Sequence, residues 1–493
     1  MVVMVTRPRG ISGTMRVSTR RLTAAMRAAR MIASWAATVA SCAACAAHRV
    51  EDYLTTADRG KLLARGPDIR SSTEPAQPSV PTIEVDRTRA YQAMVGFGAA
   101  LTDASAWLIQ HKLSAVQRDA LLRDLFGPEP GAGFNFVRID MGASDFSLRH
   151  YSYDDMPAGE NDPTLAHFSI AADTAETIPI LKRARDINPQ LEIVGSPWSA
   201  PGWMKTTGSM IKGTLRRDAY DAYADYFRRF IDAYAAYGIP IYAITIQNEP
   251  HFEPADYPGM RMELAARAEF IGKHLGPLFA RAGIRARILD WDHNWNEQQS
   301  PLAVLADSTA RRYVSGVAWH CYAGDVSAQA RVHDAYPDKD AYFTECSGGD
   351  WAPNWADNFA WTVKNLVIGS TRNWARGVAM WNFALDENHG PHTGGCGNCR
   401  GVVTIDSRTG AVTKDEEYYA LAHASRFVKP GARRIESSTI AKLDNVAFHN
   451  DDGSSVLIVL NSDAAARAFA VRDRGRTFNY ILPAGAVVTF RWR

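Results

Sequence analysis

Residues Ile241–Pro250 read IYAITIQNEP, an apolar, β-branched run that stops abruptly at Gln247-Asn248-Glu249. A short run of this kind, closed by a turn signal such as Pro250, reads as a buried strand. The glutamate where the pattern stops is either a charge leaving the core for water or an acid held at the mouth of a barrel. Recurrence of the pattern decides the fold. Eight such runs, each ending in a polar or aromatic cluster and followed by a helical stretch, succeed one another: MVGFGAALTDAS, FNFVRIDMGASD, LEIVGSPWSAP, IYAITIQNEP, RARILDWDHN, SGVAWHCYAG, DAYFTECSGG and GVAMWNFALDEN. Eight strands alternating with helices predict an α/β fold, a (β/α)8 TIM barrel, over 93–424.

The helix over Tyr220–Tyr237 shows how these units pack. Tyr220, Tyr223, Phe227, Phe230, Ile231 and Tyr234 recur at three- and four-residue spacing until Gly238 ends the pattern, so this stripe reads as core against the barrel. No comparable unit follows Ala424. Instead NVAFHNDDGSSVLIVLNSD places two apolar runs around Asp451-Asp452-Gly453, a hairpin signal, and 425–493 read as an all-β sandwich module. The segment PTIEVDRTRAY, within 81–92, has no partner in the barrel and is expected to join that module as an N-terminal strand. Residues 48–80, with Pro67, Pro75 and Pro78 and little periodicity, read as a polar linker of poor order.

Residues 1–47 hold seven arginines, no lysine and no acid, so removing them from the formal charge of +2 leaves −5 on the remainder. A mildly acidic folded part argues against a nucleic-acid partner. The basic stretch and the short apolar run MIASWAATVASCAACAA read as an export signal, too short and too weakly apolar for a membrane span. Val39-Ala40-Ser41-Cys42 resembles a lipoprotein cleavage box, with Cys42 lipidated; cleavage after Ala44-Cys45-Ala46 is the competing reading. The expected location is periplasmic or extracellular. The membrane enters only through such an anchor or a glycolipid substrate.

Catalytic groups of barrel enzymes sit at the C-terminal ends of the strands. Glu249 closes the fourth run and Glu345 the seventh. A retaining glycosidase uses two carboxyl groups about 5–5.5 Å apart, and inward carboxylates across a barrel mouth can meet that distance. Either one alone reads equally well as a salt-bridged rim residue; the pair at these strand ends favours catalysis.

The motifs FGAALTDASA, SPWSAPGWMKT, ITIQNEP, AWHCYAG, FTECSGG and MWNFALDENHGP, in this order, resemble those of the glucosylceramidase (acid β-glucosidase) family, glycoside hydrolase family 30 of the retaining (β/α)8 clan. The likeness runs from Ile83 to Arg493. It implies Glu249 as acid/base, Glu345 as nucleophile, and Asn248 as the residue bonding the sugar 2-hydroxyl. By the same resemblance Asp103 and Trp198 hold the far hydroxyls of the glycosyl unit, while His320, Tyr322 and Trp381 wall the scissile bond. Each supporting residue also has a plainer reading: Asp103 as a helix N-cap, the tryptophans as mouth packing, His320 as an interior histidine. Chemically, Glu345 needs donors such as Tyr322 and His320, and an apolar wall together with the Glu345 charge is expected to keep Glu249 protonated.

Outside the leader the cysteines are Cys321, Cys346, Cys396 and Cys399. His389, His392, Cys396 and Cys399 invite a zinc reading, but their spacing is cramped and export favours a local Cys396–Cys399 disulfide. No metal or cofactor is called for. Cys321 and Cys346 are expected to pack as thiols pointing away from the lumen. The loop holding Cys396 and Cys399 departs most from the mammalian pattern, which leaves substrate choice open. The leading expectation is a retaining β-glycosidase on a β-glucoside, glucosylceramide-like and so a sphingolipid hydrolase. Its rival is an endo-β-1,6-glucanase of the same family, which needs an open groove. A non-catalytic carbohydrate-binding barrel is a third reading, disfavoured by the carboxylate pair.

Overall fold

The computed structural model describes residues 49–74 and 79–493. The export leader, its cleavage sites and Cys42 lie outside the described residues. Two strands precede the barrel, β1 (Arg49–Thr55) and β2 (Thr82–Ala93). The barrel strands follow as β3 (Gly96–Leu101), β4 (Phe136–Asp140), β5 (Glu192–Ser196), β6 (Ala243–Thr245), β7 (Arg287–Asn294), β8 (Val314–His320), β9 (Asp340–Glu345) and β10 (Ala375–Met380). They close in sequence order into a parallel barrel, and each overlaps one of the eight apolar runs.

The barrel interior is layered. Phe136, Val194, Ala243, Leu289, Ala318, Tyr342 and Ala379 pack together as an apolar plug. Gly377 is required there, because a Cβ would lie 2.8 Å from the Phe136 ring. Two residues further along the strands, Arg138, Ser196 and Thr245 point the same way as Phe136, Val194 and Ala243, in keeping with the period of two. The interior therefore turns from apolar to polar towards the C-terminal ends. Outside, helix Tyr220–Ala236 buries Tyr220, Tyr223, Phe227, Phe230, Ile231 and Tyr234 as its spacing predicts, and Gly238 ends it at φ +78°.

Six C-terminal strands, β11 (Arg433–Ser437), β12 (Leu443–His449), β13 (Ser455–Asn461), β14 (Arg467–Asp473), β15 (Arg476–Leu482) and β16 (Val487–Trp492), form the sandwich. Strand β2 joins it, antiparallel to β11 and parallel to β14. Ile83, Val85, Leu457, Val459, Phe469 and Phe490 are among the residues of a second core, separate from the barrel's.

The polar-linker reading of 48–80 is corrected over the described residues 49–74. Strand β1 pairs with β16 along nearly its whole length, from Val50 opposite Trp492 to Thr55 opposite Val487, and Ala64–Arg65 and Ile69–Arg70 pair with β1. Its alternation is masked because both faces are buried. Val50 and Leu54 enter the sandwich core, with Asp52 between them accepting a hydrogen bond from the Tyr480 hydroxyl. Tyr53, on the other face, packs 4.5 Å from the Phe427 ring and donates to Glu129.

His423 rivets the two modules. It is fully buried in helix Glu416–Ser425, with Nδ1 2.8 Å from Thr489 Oγ1 of β16 and Nε2 2.9 Å from Thr55 Oγ1 of β1. The Thr489 hydroxyl donates to the His423 carbonyl, so Nδ1 must be the donor and Nε2 the acceptor. Burial, with the Arg426 charge adding to it, pushes the imidazole down to about 3. Its unfolded value is about 6.5, so the unfolded chain takes a proton that the folded one refuses: the stability is present above about pH 6.5 and is lost as pH falls towards 3. A His423→Gln variant should be less stable at pH 8, yet its thermal midpoint should fall less than wild type's between pH 6.5 and 4. The removed slope is at most one proton, about 1.4 kcal/mol per pH unit. Parallel slopes in a series of thermal melts would contradict the assignment.

Candidate active site

Strand β6 is only three residues long, and the segment beyond it is strapped to its neighbours. The Gln247 side-chain amide donates to the Trp198 carbonyl (2.7 Å), the Asn248 N–H to Pro197 O (2.8 Å) and the Glu249 N–H to Asp292 O (3.0 Å). Glu249 stands at φ +45°, in the left-handed region that non-glycine residues rarely enter. These straps answer the question posed by the run. Gln247 is buried and bonded, and the next two side chains turn into the barrel mouth.

Beneath them lies Arg138, fully buried on β4. Its guanidinium donates to Glu345 Oε2, to Asn248 Oδ1 and Asp292 Oδ2 (both 2.7 Å), and to Ser196 Oγ (3.0 Å). It also faces the Trp198 ring at 4.7 Å, and Trp198 stacks on Trp381 with centroids 5.0 Å apart. Asp292 accepts further bonds from Thr245, Thr344 and His320. Burial alone would raise its carboxyl, but Arg138 and His320 outweigh that and hold it well below the usual carboxylate range.

Glu249, His320 and Glu345 each bring a donor or acceptor atom within 4.8 Å of the other two. This is the close spacing of a retaining pair, at which one carboxylate can attack while the other transfers a proton. Tyr322 donates to Glu345 Oε1 at 2.9 Å, and His320 Nδ1 lies 3.4 Å from Glu249 and 3.7 Å from Glu345. Burial pulls the His320 imidazole down, yet the Glu345 charge, joined by Asp292 and Glu249, lifts it to about 9.

The expectation of an apolar wall raising Glu249 is corrected. Burial does push its carboxyl up, but the His320 bond and the His293, His320 and Arg138 charges pull it below its ordinary value. The wall that faces Glu249 is imidazole, with His293 Nε2 3.5 Å away.

Glu249, Glu345, Tyr322 and Trp381 line one cavity of about 510 Å³ together with Asp145, Phe252, Tyr257 and Trp351. Asn248, Trp198 and His320 reach it through Arg138 and the carboxylates. Asp103 is not among its lining side chains. It opens helix Asp103–His111, whose cap is Thr102, and accepts from Tyr151 at 3.1 Å. Burial and the nearby Asp173 push it up to about 7.

Cys396 and Cys399 are bonded to each other, which leaves no thiolate for a metal. His389 Nδ1 and His392 Nδ1 lie 2.9 Å from the carbonyls of Cys399 and Gly394. Cys321 and Cys346 are also joined, contrary to the expectation of packed thiols. Register shifts in β8 beside Trp319 and His320 break the strict alternation, so the residues after the two strand ends face each other.

Sequence reasoning missed Arg138, Asp292, His293 and Asp145. All four stand inside quoted runs, and for Arg138 and Asp292 a charge within a barrel strand was the available signal. Asp145 ends the second run as Glu345 ends the seventh; burial, with the Glu345 and Glu249 charges adding, pushes its carboxyl well above the ordinary value.

Comparison with known proteins matches residues 94–428 to the glycosyl hydrolase family 30 TIM-barrel domain and 431–490 to the family 30 beta sandwich domain. An endo-1,6-β-D-glucanase of Aspergillus fumigatus is 35% identical over 82% of this chain and 86% of its own. The lysosomal acid glucosylceramidase of Mus musculus is 30% identical over 82% of each. Among solved structures, an endo-β1,6-glucanase superposes with a TM-score of 0.85 at 33% identity, covering 90% of this chain and 99% of that one.

The geometry makes Arg138 testable for stability as well as chemistry. Arg138→Met should cost about 3–5 kcal/mol, because it strips the buried Asp292 and Glu345 of the guanidinium they share. Denaturant unfolding measures this, and a loss under about 1 kcal/mol would show that the carboxylates do not depend on the guanidinium.

Proposed function

The chain belongs to glycosyl hydrolase family 30 and is a retaining β-glycosidase, and on that premise we propose that it is an endo-acting β-1,6-glucanase rather than a glucosylceramidase. The observation that carries this reading is the open mouth of the catalytic cavity. Phe252, Tyr322 and Trp351 on its rim are 46%, 46% and 54% exposed, which suits an entering polymer better than a closed glucoside pocket. The higher identity to endo-1,6-β-glucanases than to the mouse glucosylceramidase supports it.

In this reading Glu345 is the nucleophile. Tyr322 and Arg138 fix its two oxygens, so it attacks the anomeric carbon from a set direction while the glycosidic C–O bond breaks. Asn248 Oδ1 is held by Arg138, so its amide N–H is left to meet the 2-hydroxyl. Glu249 delivers the proton to the leaving oxygen. In the second step water gives a proton to Glu249, its oxygen bonds the anomeric carbon, and Glu345 is released.

The proton begins on His320 and is shared with Glu249. Formation of the glycosyl ester cancels the Glu345 charge, the largest support for the imidazolium. His320 then releases its proton towards Glu249 and the leaving oxygen. Regeneration of Glu345 draws it back.

The substrate is a carbohydrate, and a glycolipid remains the rival to be tested beside it. Export through residues 1–47, with lipidation at Cys42, is part of the same proposal, supported by two disulfides that suit an oxidising compartment.

Parallel assays on β-1,6-glucan, glucosylceramide and an aryl β-glucoside test the substrate. Release of oligosaccharides from the glucan is expected; turnover of glucosylceramide alone would reverse the assignment. Glu345→Gln should abolish turnover on every substrate. Glu249→Ala should spare an aryl glucoside with a good leaving group far more than the glucan, and equal losses would remove Glu249 from the acid role. For the shared proton, His320→Gln should move the alkaline limb of the kcat/KM profile to lower pH, since the pair holds its last proton more tightly than Glu249 alone. A limb that stays or rises would mean that Glu249 titrates by itself.

A further inference from the structure

A second cavity, of about 410 Å³, adjoins the catalytic one. Tyr322 and Trp351 line both, so the two share one aromatic wall. The lining of the second includes the Cys321–Cys346 disulfide, Trp361, Ser347, Asp357 and Asn358. Trp361, on helix Trp355–Thr362, is 42% exposed although it is a large apolar ring.

Trp351 is held in place by backbone. A Cβ on Gly349 would lie 2.1 Å from its indole, so the ring rests directly on that glycine. Gly349 pairs with Cys399 in a short antiparallel ladder, which fastens the wall to the Cys396–Cys399 loop. An exposed tryptophan with so fixed a seat is a preformed platform and not a stray surface ring.

Resting on the glucanase reading, we propose that this second cavity binds further glucosyl units of the same β-1,6-glucan chain, stacked on Trp351 and Trp361. Pyranose rings offer apolar C–H faces and hydroxyl edges, which suits a lining that combines two tryptophans with the exposed carboxylate of Asp357. The alkyl chains of a ceramide would call for an unbroken apolar channel, and the exposed Asp357 interrupts one here. A large aromatic contact contributes on the order of one factor of ten to affinity.

The test uses the full chain and a ladder of β-1,6-gluco-oligosaccharides alongside a small aryl β-glucoside. Wild-type kcat/KM should rise with chain length. Trp361→Ala should match wild type on the aryl glucoside, which fills only the catalytic cavity, and lose about tenfold on the longest oligosaccharides. Trp361→Phe, which keeps a stacking face, should recover most of the loss. An equal loss on the aryl glucoside and the long chains, or no loss on either, overturns the platform. A wild type that cleaves the aryl glucoside but no β-1,6-linked chain overturns the substrate reading instead.

Discussion

One buried guanidinium ties together Glu345, Asn248 and the Asp292 carboxylate that anchors His320. Arg138, on β4, presents its donors in a rigid fork, and the acceptors come from four other barrel strands or their ends: Ser196 from β5, Asn248 beyond β6, Asp292 from β7 and Glu345 from β9. A lysine could supply the charge but not the fan of directions. The same plane lies against Trp198, which stacks on Trp381, so the apolar wall is registered to the carboxylates through the same group. Because the site sits in a low-dielectric interior, the charges must balance locally. Arg138 and a protonated His320 offset Asp292, Glu249 and Glu345 only in part, and the elevated Asp145 is the expected response of the next carboxyl in line.

The barrel was legible because its strands are buried on both sides and so read as unbroken apolar runs, each punctuated at its C-terminal end. The sandwich strands were legible for the opposite reason, their hairpin turns. What failed was β1. A strand with one face in each of two cores needs neither alternation nor continuity. Its Asp52 is tolerated only because Tyr480, far along the chain, supplies a donor. No local pattern carries that information.

The two carboxylates were legible from their places at strand ends, while their electrostatic setting was not. An aromatic-rich sequence suggests an apolar wall, yet two histidines at the ends of β7 and β8 face Glu249. Asp103 is placed by packing as well as by its motif: Tyr151 donates to it and to the neighbouring Asp173, so its carboxylate is part of a hydrogen-bonded group outside the lining of the catalytic cavity. Motifs locate side chains along the chain, and only packing says which way each one points.

The polar upper layer also explains where the covalent cross-links fall. Buried ion pairs add little net stability, since desolvation offsets most of their attraction. The polar layer that does the chemistry is therefore expected to add less net stability than the apolar plug beneath it. Cys321–Cys346 closes a loop of 25 residues between the ends of β8 and β9, and loop-closure entropy makes such a bond worth about 3–4 kcal/mol. Cys396–Cys399, only three residues apart, contributes roughly half of that or less by the same reasoning. The first bond thus compensates the strand ends that carry His320 and Glu345. The second stabilises little and instead fixes the shape of the loop against which Gly349 and Trp351 are held.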